Sequence, residues 1–279
     1  MIASTRAELL RLSKWPVTWV ITGVWLTLNV SFGYVFDYLS YRDAVSGGNQ
    51  QVAAALLPQL SLAGVPSTMV AGLPMFGSAL VLILAALSTG SGYGWNTWRT
   101  VFTQGPRRLS ALGGTMLALA VLLAILAVLT LLADLAASSI VMTVASQDLT
   151  WPGLGALAEG LGGALLIVAT WGAAGAMIGV VARSPALAVG LGLVWGLVVE
   201  NLLRGVASAL GPLESVTHVL PGTAAGSLAG ALGAATESEA GGAPGVLNTL
   251  TGVESITLLA VYLVVFAMSA AIVVSRRDA

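Results

Sequence analysis

A chain of 279 residues could hold two soluble domains by length alone. Its composition excludes that, because 57% of residues are hydrophobic, only 8% are charged and the mean hydropathy is +0.94. A net charge of −1 gives no reason to expect nucleic acid as a partner, and the absence of cysteine excludes disulfides, thiolate metal sites and thiol catalysis.

Residues 4–14 scatter Leu9, Leu10 and Leu12 among Arg6, Glu8, Arg11 and Lys14. Apolar residues at helical spacing within a charged segment predict a short amphipathic helix on the inner membrane surface. Pro16 stands where the next helix begins. The first apolar stretch, 15–36, is too long for a signal-peptide core and has no small-residue cleavage site after it, so it reads as a retained span. A first outside loop, 37–64, follows with Asp37, Arg42, Asp43 and the turn signal Gly47-Gly48-Asn49. In the second span, 65–88, Pro66, Gly72 and Pro74 predict a kink.

The inside loop 89–108 opens on Gly90 and Gly92 and closes on Gly105-Pro106. Between them Trp95, Trp98, Val101 and Phe102 fall on one helix face, which predicts a short amphipathic helix between hinges. Aromatic residues beside Arg99 suit a headgroup layer or a protein partner. Spans 109–132, 157–181 and 185–203 follow, the last two separated only by Ala182, Arg183 and Ser184. Gly175-x-x-x-Gly179 and Gly192-x-x-x-Gly196 are small-residue seams for close helix packing, with the partner helices unassigned. Segment 216–235 is apolar but broken by Pro221-Gly222, which predicts short helices dipping back into the outer leaflet beneath a protein cover. A sixth span, 256–274, ends the chain.

Each stretch approaches or exceeds the roughly 20 helical residues that cross a hydrocarbon core. An N-terminus in the cytoplasm puts Arg6, Arg11, Lys14, Arg99, Arg107, Arg108, Arg183, Arg276 and Arg277 inside, leaving only Arg42 and Arg204 outside. The expected fold is therefore an all-α integral membrane domain, 1–279, with six transmembrane helices and both termini cytoplasmic.

Chemistry-bearing residues are few. The only lysine is Lys14 and no phosphate-binding loop exists, so this chain lacks that route to ATP hydrolysis. His218 is the sole histidine and reads as a polar loop residue. Glu200 lies 15 residues beyond Pro185, about 22 Å along a helix. It is expected to pair with Arg204 at i,i+4, the sharper alternative being a polar group in a substrate exit path. Trp171 and Trp195 lie mid-span and suit core packing or an apolar pathway. Glu159 is expected at the outer interface.

Four stretches resemble the permease subunits of ABC-2-type ATP-binding-cassette exporters, as found in bacterial drug-efflux systems. They are the amphipathic 4–14; Tyr93-Gly94-Trp95-Asn96-Thr97-Trp98-Arg99 with its Gly105-Pro106-Arg107-Arg108 end; Arg183-Ser184-Pro185-Ala186 leading to 194–203; and Arg276-Arg277-Asp278. Gly92 and Asn96 depart from the family pattern, which often has an acidic residue and a glycine there. The resemblance implies an N-terminal amphipathic elbow helix carrying Arg6, Glu8 and Arg11. It implies a cytoplasmic coupling helix in which Trp95, Asn96, Thr97, Trp98, Arg99 and Phe102 dock on a separate nucleotide-binding ATPase subunit. It also implies a second, smaller contact at Arg183 and Ser184, and an outer re-entrant segment between spans five and six. ATP and magnesium would sit on that partner, with no cofactor on this chain. A second permease subunit, identical or paralogous, would complete the complex in the bacterial cytoplasmic membrane. The competing reading is an ATP-independent carrier or channel, which requires broken helices or charges near the midplane.

Overall fold

The computed structural model describes residues 1–95, 97–103, 107–207 and 214–276, apart from the side chains of Arg99, Phe102 and Glu214. Among these the regular structure is entirely helical. Six helices are long and apolar enough to cross a membrane: α2 (Pro16–Ser46), α4 (Leu62–Gly94), α6 (Arg108–Val144), α7 (Leu154–Ala182), α8 (Pro185–Ala207) and α11 (Gly252–Arg276). Five shorter ones join them: α1 (Ile2–Lys14), α3 (Gln50–Leu60), α5 (Thr97–Thr103), α9 (Glu214–His218) and α10 (Pro221–Ala231). The chain is a multi-pass membrane protein.

Three spans overrun their expected ends. α2 continues to Ser46, so Asp37, Arg42 and Asp43 are helical rather than in a loop, and the helix stops only at Gly47-Gly48, where Gly48 takes φ +74°. α6 passes 132 and reaches Val144, carrying Asp134 into the bundle. α4 runs on to Gly94, so Gly90 and Gly92 are helical and not a hinge. A span read by hydropathy ends at its first charge or at a polar, glycine-rich run. The backbone continues for as long as its i→i−4 hydrogen bonds are favoured.

The kink expected in the second span is present. α4 changes to a π-turn over Leu73–Gly77, where Pro74 offers no N–H. Similar π-turns interrupt α2 at Ser31–Phe36 and α8 at Val194–Val199.

The centre of the bundle is the α4–α7 contact. α7 is the most enclosed span, with 67% of its apolar window buried against 11% in α11 and 17% in α8. The Gly175–Gly179 seam faces α4, where the backbone of Leu82, Ala86 and Gly90 approaches directly. The second seam joins α8 to the same pair, Gly192 against Leu82 and Gly196 against Trp171. Around this centre Trp25, Met69, Leu73, Leu126, Ile167, Trp171, Leu228 and Leu259 form a continuous core.

The turn between α7 and α8 follows from three residues. Arg183 closes α7 in the left-handed region at φ +52°, the Ser184 hydroxyl caps α8 by accepting from the Leu187 N–H at 3.4 Å, and Pro185 begins the helix. At the far end α10 is buried from Pro221 to Ala229, with Gly226 and Gly230 against the backbone of Gly245 and Leu247.

Candidate functional site

One end of the bundle gathers the segments that carry the family resemblance. α1 lies across the start of α6, where the backbone of Ser4 and Thr5 passes Gly114. Its Leu12 is 1% exposed, and Arg11 donates to the Ser88 carbonyl at 2.9 Å while pairing with Glu8 at 2.8 Å. Arg6 is exposed. The end of α11 reaches the same region, Val274 clustering with Leu112 and Val180.

The aromatic pair of the inside loop divides. Trp95 follows the last residue of α4, is 64% exposed and meets Trp15 edge-on at 6.3 Å. Trp98, on α5, turns inward to 7% exposure, and its indole N–H donates to the Thr89 carbonyl at 3.1 Å. The single face expected to hold Trp95, Trp98, Val101 and Phe102 is therefore not one face, because Trp95 precedes the helix. Gly92 makes the inward turn possible: a Cβ there would strike the Trp98 indole. Tyr93 lies between Trp98, tilted against it at 6.0 Å, and the Arg183 guanidinium at 5.5 Å. Thr97 is exposed and lines, with Trp98, Val101, Glu8, Arg11 and Ser88, a cavity of about 260 Å³ between α1 and α5. Asn96, Gly105, Pro106, Arg277 and Asp278 lie outside the described residues, as do the side chains of Arg99 and Phe102. Arg183 is exposed, and Ser184 is the α8 cap already described.

Glu200 corrects the sequence reading. It is fully buried, and Arg204 is not its ion-pair partner: Arg204 donates to Asn201 Oδ1 at 2.8 Å. The Glu200 carboxylate accepts from Trp195 Nε1 at 2.9 Å and from the Gly222 N–H at 2.8 Å. Gly222 belongs to the first turn of α10, so a carboxylate from one span sits on the positive end of another helix. Trp195, 44% exposed, serves as a donor to Glu200, and Trp171, 4% exposed, is a core residue. Neither lines the α1–α5 cavity or the one on α2, and Trp171 borders a small gap against Gly192 and Gly196. Glu159 is exposed near the start of α7.

The opposite end holds a cavity of about 250 Å³ between α2, the kink of α4 and the connector after α10. Trp25, Asn29, Phe32, Phe36 and Asp37 climb one face of α2 into it, and Phe76 faces them from the α4 π-turn. Behind Asn29 lies Asp134, 0% exposed, which accepts from Asn29 Nδ2 at 2.5 Å. Its other oxygen has no hydrogen-bond partner among the described residues. Sequence reading missed this pair because it ended the third span at 132. The signal was present, since residues 135–144 carry no charge and are mostly apolar beyond the lone carboxylate. Among the described residues no group of three or more His, Asp or Glu could hold a metal ion.

No protein-family model matches this sequence, and no curated protein matches it. What the fold and composition define is the class: a six-helix, multi-pass membrane protein.

Proposed function

We propose that this chain is the permease subunit of an ATP-driven exporter of the ABC-2 type, working with a separate ATPase subunit. The observation that carries the reading is the convergence, at one end of the bundle, of α1, α5 and the Arg183–Ser184 turn. The same end collects Arg6, Arg11, Lys14, Arg107, Arg108 and Arg276, and is taken as cytoplasmic by the positive-inside rule. In this reading α1 is the elbow helix at the inner interface, and α5 with the exposed Trp95 is the coupling helix. Trp98 ties α5 to Thr89 of α4, so a push on α5 is passed to α4 and through the glycine seam to α7. ATP and magnesium are held by the partner, for want of a phosphate loop here. Closure of the ATPase pair then favours one of two bundle arrangements, and binding energy becomes a population shift. α10 is the re-entrant element, its N-terminus reaching the Glu200 level of α8. The lightly enclosed α8 and α11 provide faces for lipid and for a second permease subunit, a copy or a paralogue. The substrate is amphipathic, a drug, peptide or lipid, moved outward.

The test is purification of the tagged chain from its native membrane in mild detergent, with identification of what copurifies and an ATPase assay. A copurifying ATPase that is depleted by Trp95→Ala and Arg99→Ala is the expected result. A chain that purifies alone, with no nucleotide-dependent activity, overturns the reading. One observation favours the ATP-independent carrier instead: Asp134 and Glu200 are carboxylates buried inside spans, and spans α2, α4 and α8 are all interrupted by π-turns. The carrier predicts substrate uptake into vesicles holding the chain alone, driven by an ion gradient.

A further inference from the structure

We propose that the cavity on α2 is a binding site for an amphipathic cation, an ammonium head group on an apolar body, with Asp37 as its counter-ion. The inference rests on the exporter reading for the meaning of the site as a place on the substrate's route.

The lining has the chemistry of a cation site. Trp25, Asn29, Phe32 and Asp37 rise along one face of α2 over twelve residues, about 18 Å at helical rise. The Trp25 indole is locked as the floor, 2% exposed and donating to Thr130 at 2.9 Å. Phe32 and Phe76 lie nearly parallel, with centroids 6.2 Å apart and planes at 12°, and Phe36 tilts against Phe32 at 5.2 Å. These rings present negative quadrupole faces, which attract an ammonium within about 6 Å of a ring centroid.

The charge balance points the same way. Asp37 lines the cavity and has no ion pair or hydrogen bond among the described residues. Arg42, the guanidinium further along α2, lies 3.8 Å from Asp43 and does not line the cavity. The connector that closes the far wall carries Glu237 and Glu239 between its lining residues, so the surrounding field is negative. An ionisable residue facing a cavity within a span-forming helix calls for a partner, and among the described residues no basic side chain lines the cavity. Phe32 and Phe36 remain 56% and 51% exposed, so the aromatic wall is open to the apolar body of the ligand. An ammonium can belong to a dissolved amphiphile or to a lipid head group; the recognition chemistry is the same.

The experiment measures binding of benzyltrimethylammonium to the full chain in phosphatidylglycerol nanodiscs by calorimetry, beside its uncharged isostere neopentylbenzene as competitor. Saturable binding of the cation is expected, with little competition by the isostere. Asp37→Asn weakens the cation by about tenfold or more, since it deletes a close opposite charge in a partly desolvated site. Phe32→Leu and Phe76→Leu, which keep the bulk and remove the ring, weaken it by about threefold to tenfold. Circular dichroism and thermal melting confirm that the three variants keep the fold. Adding phosphatidylcholine separates the sources: competition assigns the head group to lipid, and no competition assigns it to a dissolved amphiphile. Absence of saturable binding, equal binding by Asp37→Asn, or equal competition by the isostere overturns the site. Those failures leave ATPase copurification untouched. Conversely, a chain that binds the cation but captures no ATPase sinks the exporter reading and keeps the site.

Discussion

Gly179→Ala tests the centre of the bundle with a single methyl group. A Cβ at this position would strike the Thr89 hydroxyl and fall 2.7 Å from the Ala86 carbonyl and 3.1 Å from the Gly90 nitrogen. Two of these three atoms belong to the α4 backbone and cannot rotate away, so the helices must separate. Forcing one extra methyl into such a contact costs about 1–3 kcal/mol. Gly162, on the same helix, is the control, because a Cβ there meets nothing within 4 Å. Gly162→Ala is therefore neutral or stabilising by up to about 1 kcal/mol through helix propensity. Both variants gain the same helix propensity, so they should differ by about 1–3 kcal/mol, the overpacking cost alone. The assay is thermal unfolding of wild type and both variants in one detergent, followed by tryptophan fluorescence and by the monodisperse fraction after heating. Thr89 also receives the Trp98 indole, so Gly179→Ala should additionally speed amide exchange in α5. Equal melting of the two variants would refute backbone contact between α4 and α7.

Trp98→Ala removes a buried ring and is expected to cost about 3–5 kcal/mol, raising amide exchange first over Thr97–Thr103. Trp98→Phe keeps most of the packing and loses about 1 kcal/mol with the hydrogen bond to Thr89. Glu200→Leu strands the Gly222 N–H at an enclosed helix end and should cost about 1–3 kcal/mol in melting experiments, whereas Glu200→Gln, which keeps one acceptor oxygen, costs less. Asn29→Leu leaves Asp134 without its donor and is expected to be strongly destabilising, by about 3–5 kcal/mol if the carboxylate stays charged. The double variant Asn29→Leu with Asp134→Leu should recover most of that loss, and a cycle with purely additive effects would show that the pair does not interact. Because the chain has no cysteine, single cysteines at Asn49 and Arg6 report topology directly. An impermeant maleimide should label Asn49→Cys in intact cells and Arg6→Cys only after lysis; the reverse pattern inverts the assigned orientation.

The presence of six spans, their approximate positions and the chain's membrane class are determined by sequence alone. These depend on local quantities, namely the length of apolar runs and the placement of breakers, and lipid imposes them on any chain of this composition. The Pro74 kink and the Ser184–Pro185 helix start were legible for the same reason. The helix ends were less so. Asp37 and Asp134 look like the edges of spans in a hydropathy reading, yet both lie within continuous helices, one facing a cavity and the other paired with Asn29 across 105 positions of sequence. Gly175 and Gly179 announce a close helix contact, but only the fold names α4 as the neighbour. Likewise Trp95 and Trp98 read as equivalent aromatics until packing against Gly92 turns one inward and leaves the other exposed. Glu200 shows the limit most clearly. Its sequence neighbour Arg204 suggested an ion pair at i,i+4, while its carboxylate accepts from the Trp195 indole on its own span and from an N–H 22 positions away. Local spacing decides which groups can meet along one helix. Which groups meet between helices depends on how the bundle closes, and no window of sequence contains that.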